Sequence, residues 1–221
     1  MQDPEQLDRW LGAGSTDNQN SASKKSSSSI ISAIETIREE HRAIAAILSA
    51  LTRILDNIEA GHLQPDFTLL ASMIEYIAEM PDKLHHPKED RIFALLRSKT
   101  RDVDTQLDML EAEHRDAIAA TSRLDRALVS YMQGGASEFA GFRDAVRVYI
   151  ADEWRHLNTE EADILPAARR LFTQEDWQEI NADFARNGDP WSGADNRYAS
   201  LFKRITNLAP APLGVGPTQT S

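Results

Sequence analysis

Six histidines stand in a chain of 221 residues that has no cysteine: His41, His62, His85, His86, His114 and His156. Two of them open a His-x-x-x-Glu pair, His85 with Glu89 and His156 with Glu160. On a helix, residues four apart share a face and point the same way, so each pair could offer an imidazole and a carboxylate to one centre. Glu161 follows at i+5 and competes with Glu160 for that place. Neutral imidazole is a common metal ligand. Imidazoles with carboxylates suit iron or manganese, and zinc also fits.

Such a centre needs helices to hold it, and the pattern of apolar residues supplies them. Ile34, Ile37, His41, Ile44, Leu48, Leu51, Leu55 and Ile58 recur at alternating steps of three and four, the buried stripe of a bundle helix. This predicts a first helix over 29–60, ended by Gly61. A second, over 66–98, carries Leu70, Ile74, Ile77, Leu84, Ile92 and Leu96 inward. Pro81 and Pro87 interrupt it and predict a kink. A third spans 102–133 with seam Leu107, Leu110, His114, Ala117, Thr121, Leu124 and Leu128. A fourth spans 137–172 with seam Phe142, Val146, Tyr149, Glu153, His156, Glu160 and Asp163 or Ile164. Short connections make these antiparallel neighbours, an all-α up-down-up-down four-helix bundle. A fifth helix is expected over 174–186, capped by Thr173, and a last short one over 199–207. The expected organisation is a flexible tail over 1–29, the bundle over 30–172, and a helical extension with a Pro/Gly-rich tail over 173–221.

In that bundle His41, His85, His114 and His156 lie about 11 to 14 residues from one common end, or about 17–21 Å at about 1.5 Å per residue. They form one layer. A single histidine on an apolar seam is ordinarily a satisfied core residue. Four in one layer would remove a slice of core and leave several ring nitrogens in need of partners. A bound metal removes that cost. The competing reading is a hydrogen-bonded polar layer without metal. His62, beside Gly61 in the first connection, lies at the opposite end and is excluded.

Composition narrows the partners. Lys and Arg number 24 against 35 Asp and Glu, a formal net charge of −11. That sign disfavours nucleic acid and anionic membranes as partners. Without cysteine there is no disulfide, thiolate nucleophile or Cys-ligated zinc. No apolar run reaches the roughly 20 residues of a membrane span, and the polar, acidic start is unlike a signal peptide. A cytoplasmic protein is expected. No Gly-rich phosphate loop is present.

The segments EEHR at 39–42, HHPKED at 85–90, EAEHR at 111–115 and HLNTEE at 156–161 resemble the hemerythrin-like, or HHE cation-binding, family. The resemblance covers 32–170, with the motifs in order on the expected helices. It implies the hemerythrin bundle and a non-haem di-iron centre. His41 would come from the first helix, His85 and Glu89 from the second, His114 from the third, and His156 with Glu160 from the fourth. Glu89 and the fourth-helix carboxylate would bridge the two irons. Oxygen-carrying members use five histidines, two of them in a His-x-x-x-His pair on the third helix. Here Leu110 and Ile118 occupy the positions four away from His114. His86, Glu111 or Glu153 could replace the missing imidazole, although Glu111 and Glu153 read better as outer partners or ordinary exposed charge.

The expected function is a centre that meets a small ligand such as O2, NO or peroxide, for sensing, scavenging or iron handling. The alternatives are a di-iron enzyme acting on peroxide or NO, and a zinc-bound or metal-free regulatory helical module. With four imidazoles, hard oxygen ligands would favour the ferric state and make a poor reversible O2 carrier. Recruitment of His86 would restore five.

Overall fold

A computed structural model describes residues 24–187 and 197–208. Helix α1, Lys24–Glu59, starts five residues before the expected 29, so helix reaches into the serine-rich stretch assigned to the tail. The rest of the expected tail, 1–23, lies outside the described residues, as do 188–196 and 209–221. The chain leaves α1 through Gly61 at φ 73, a left-handed conformation that glycine adopts without a Cβ penalty. There the Gly61 N–H donates to the Ile58 carbonyl. Helix α2, Phe67–Met80, is capped by Asp66, whose carboxylate accepts the Leu69 N–H at 3.0 Å.

The proline-rich middle of the expected second helix is continuous, but its winding changes. Pro81–His85 form one π-helical turn, closed by the His86 N–H on the Pro81 carbonyl, and α3, His86–Lys99, follows. Proline lacks an N–H, and its ring collides with the carbonyl four residues back. For Pro87 that carbonyl is Lys83, inside the widened turn. Helix α4, Asp104–Gly134, stops at Gly135, φ 63. Helix α5, Phe139–Thr159, then meets the same device again. Glu160–Ile164 form a second π turn, closed by the Leu165 N–H on the Glu160 carbonyl, and α6, Leu165–Leu171, carries Pro166 at its start. The fourth helix was expected to be regular. Pro166, two residues past the turn as Pro87 is past the first, is the signal for the change.

Four rods therefore form the bundle: α1, α2 with α3, α4, and α5 with α6. Adjacent rods pack as α1 on α2, α2 on α4, α4 on α5, and α5 on α1. Helix α7, Gln174–Asn187, begins at Thr173, which exchanges hydrogen bonds with Asp176, and buries Trp177, Ile180 and Phe184 against α1 and α3. Helix α8, Arg197–Leu208, covers α2 with Leu201 and Ile205. The buried apolar side chains divide into two clusters. One runs from Ile44 through Met73 to Val146, the other from Ile37 through Ile92 to Ile164. Along the first three rods the histidine falls between them: His41 lies between Ile37 and Ile44, His85 between Met80 and Ile92, and His114 between Leu110 and Leu124. A polar layer thus cuts the core in two. Of the expected seam residues, Ile164 is buried and Asp163 is exposed. No described helix is long and apolar enough to cross a membrane.

Candidate metal centre

The layer holds two donor groups that share one carboxylate. In each group the ligand atoms lie within 4.8 Å of one another. The first group is His41, His85, Glu89 and Glu160; the second is His86, Glu89, His114 and His156. All six expected site residues fall in these groups, and His86, left open by the sequence, joins them. His62 is exposed in the first connection, away from the layer. Glu111 is tied to Arg97 by two contacts of 3.1 Å and enters neither group. Glu153 enters neither as well. It hydrogen-bonds Tyr149, and burial holds its carboxyl above the usual range.

The distances follow this division. Glu89 sets Oε1 3.1 Å from both His41 Nε2 and His85 Nε2, and Oε2 3.5 Å from His114 Nε2. Glu160 sets Oε2 3.2 Å from His41 Nε2 and Oε1 3.2 Å from His156 Nε2. Each carboxylate thus gives one oxygen to each group. His114 Nε2 and His156 Nε2 face each other at 3.3 Å. Glu160 and Glu161 are both within reach of His41, on opposite sides of its ring, but only Glu160, 1% exposed, lies inside the layer.

The outer nitrogens carry a second pattern. His41 Nδ1 lies 3.1 Å from Glu161, His85 Nδ1 2.9 Å from Glu40, His114 Nδ1 2.9 Å from Asp90, and His156 Nδ1 2.8 Å from Glu113. In every case the carboxylate comes from the neighbouring rod. α1 holds the histidine of the second rod, α3 that of α4, α4 that of α5, and the second π turn that of α1. The carboxylates form a closed ring around the layer. Glu40 is itself bonded to the buried Lys88, and Glu161 accepts from Arg38 Nε at 3.1 Å. A carboxylate on Nδ1 takes the N–H there and leaves Nε2 as a lone pair pointing inward. Glu40, Asp90 and Glu113 were not expected from the sequence. Each adjoins a ligand candidate, His41, Glu89 or His114, and so already sits beside the layer.

These inward atoms lack partners of their own. His85 Nε2, Glu89 Oε2 and both Glu160 oxygens are buried and make no aligned hydrogen bond. Unpaired buried acceptors are costly, and a cation at the centre of each group would satisfy them. Without a cation, protons do part of that work. Burial alone would lower His41 and His156, but their carboxylate neighbours outweigh it and hold both well above the ordinary imidazole range. His85 is likewise raised to about 9 against its burial, chiefly by Glu89 and Glu40. Burial would raise Glu89, yet the charge of His85 and the bond to His41 keep it well below the usual carboxylate range. His86 behaves oppositely: burial and then the proximity of His114 push it well below 6.5.

The donor set fits a pair of transition-metal ions. Imidazole nitrogen and carboxylate oxygen suit iron or manganese. The second group, counting Glu160, offers three imidazoles and two carboxylate oxygens, more than the four ligands typical of structural zinc. Residues 32–168 match the family model described as the hemerythrin HHE cation binding domain. The chain belongs to that family. No curated protein and no solved structure matches it. The match spans both donor groups of the layer described. The first π turn ends on His85 and the second begins at Glu160, so both fall at the layer, and such turns are frequent at functional sites.

Proposed function

We propose that this hemerythrin-family protein is a non-haem di-iron protein whose centre binds a small ligand, O2, NO or peroxide, for sensing, scavenging or iron handling. The observation that carries this reading is the placement of Glu89 and Glu160, each with one oxygen toward each imidazole group. That arrangement would bridge two ions, whereas a single ion would need only one group. His41 and His85 would hold one iron, and His86, His114 and His156 the other. Bound iron supplies redox chemistry and open coordination positions. The protein's own residues fix the donors through the carboxylate ring and seal the first group, whose side chains are 0–2% exposed.

With His86 counted, five imidazoles are available, so a deficit of nitrogen donors no longer argues against an O2 carrier. Solvent access still does. Two cavities, of ≈ 330 Å³ and ≈ 650 Å³, border His86 and His114. Water and protons beside the second group favour oxidation over a protected oxygen adduct. The same openness supports the second reading, an enzyme acting on peroxide or NO. Reducing the iron-loaded protein anaerobically and adding O2 tests the first point by visible spectroscopy. Oxidation without a long-lived oxygenated band is expected. A band that persists for hours and reverses under vacuum would make the protein a carrier. Release of O2 on adding peroxide would favour the enzyme.

A further inference from the structure

His86 is the one imidazole of the five that stands outside the carboxylate ring. Its Nδ1 is buried and makes no hydrogen bond, and the residue is 8% exposed. Its ring instead stacks face to face on His114, centroids 4.0 Å apart and planes 17° from parallel. His114 is stacked in turn on Phe93 at 5.5 Å. A carboxylate behind a ligating histidine fixes its tautomer and orientation and makes its free nitrogen a stronger donor. His86 has none of these supports. It follows the first π turn and precedes Pro87, which has no N–H to return to that turn.

The position beside it is reachable. A cleft of ≈ 650 Å³ between α4 and α5 runs along Ala117, Ala120, Val148 and Tyr149 and ends on His86, His114 and His156. Arg123 and Arg155 share its lining with five carboxylate side chains, so a small donor enters by access and not by charge. The His41 and His85 side of the layer, by contrast, is sealed.

We propose that His86 is the displaceable ligand of the centre and that the α4–α5 cleft delivers the small donor that takes its place. This rests on the di-iron reading above. The exchange would be a substitution: His86 would leave the second donor group as neutral imidazole while the incoming nitrogen or oxygen donor takes its place, with no electron transferred. His114 and His156, pinned by Asp90 and Glu113, stay in place.

Azide is the probe, added to the oxidised, iron-loaded full chain, where its charge-transfer band reports binding to ferric iron. Iron content is measured first. The expected results are two irons per chain in both the unaltered protein and His86→Ala, with azide bound about tenfold or more tightly by the variant, the scale of one ligand-supporting interaction. Free imidazole should compete with azide in His86→Ala and bring the affinity back toward that of the unaltered protein. Val148→Trp, at a position 63% exposed, should narrow the cleft and slow azide association about tenfold without changing iron content or final affinity. Loss of an iron from His86→Ala would overturn the proposal by making His86 an anchoring ligand, and so would an unchanged azide affinity. An unchanged association rate in Val148→Trp would remove the cleft from it. Fewer than two irons in the unaltered protein would instead overturn the di-iron reading and this inference with it.

Discussion

Glu89 stands between the two imidazole groups, one carboxylate oxygen 3.1 Å from His41 Nε2 and the other 3.5 Å from His114 Nε2. An amide of the same shape cannot do this, because it has one acceptor oxygen and carries no charge. In Glu89→Gln the NH2 group would meet imidazole lone pairs on one side, and a bridging negative charge would be gone. Iron retention should fall by more than the roughly 10–100-fold that loss of an outer partner costs. Far-ultraviolet circular dichroism should change little, since the two apolar clusters are untouched. Equilibrium dialysis against iron decides it, and full retention would show that Glu89 does not bridge.

The carboxylate ring makes a separate prediction. Glu113 touches no donor atom of the layer, but it holds His156 Nδ1 at 2.8 Å and accepts from Arg155 at 2.7 Å. Burial would raise its carboxyl, and those bonds more than offset this and hold it below the usual range. Glu113→Gln keeps the shape and removes the charge. Metal affinity should drop about 10–100-fold with the ligand set intact. The check is a competitive chelator titration of both proteins. An equal affinity would reduce Glu113 to a surface ion pair.

Protons and metal compete for the same atoms. At pH 7 the metal-free layer carries protons on His41, His85 and His156, whose folded-state pKa values are raised. His86, with a lowered pKa, carries none. Metal uptake must therefore release protons, and affinity should rise with pH. For the metal-free protein the sign is the reverse. A raised histidine stabilises the fold fully below its unfolded pKa of about 6.5, and the contribution fades as pH rises through the folded value, about 9 for His85. Thermal unfolding of metal-free protein should show a lower Tm at pH 9.5 than at pH 6.5, with metal loading flattening the difference. Calorimetry in buffers of different ionisation enthalpy should register proton release on loading. No release would contradict the protonated layer.

What could be read from the sequence was whatever regular helix geometry governs. The alternating three- and four-residue steps from Ile34 to Ile58 fix a buried stripe, and counting residues from the helix ends places His41, His85, His114 and His156 at one height. His86 stayed one of three candidates to replace the fifth imidazole, beside Glu111 and Glu153, because on a regular helix a residue next to an inward His85 turns about 100° away. Pro81 and Pro87 predict a kink, and Pro87 is the hint of the π turn Pro81–His85 found there. Pro166 gave the same hint for the second π turn, where both Glu160 and Glu161 come within reach of His41. The ring of outer carboxylates was not legible either, because Glu40, Asp90 and Glu113 act on histidines of neighbouring rods. Sequence spacing carries no information about such contacts until the rods are packed.

The central claim is a pair of irons joined by carboxylates, and the electron paramagnetic resonance spectrum of the oxidised protein at known iron content tests it most directly. Two ferric ions held between Glu89 and Glu160 would couple to an even-spin state. The account predicts two irons per chain and almost no signal from isolated high-spin ferric ion. A full-intensity isolated ferric signal, or a stable content of one iron per chain, would contradict it.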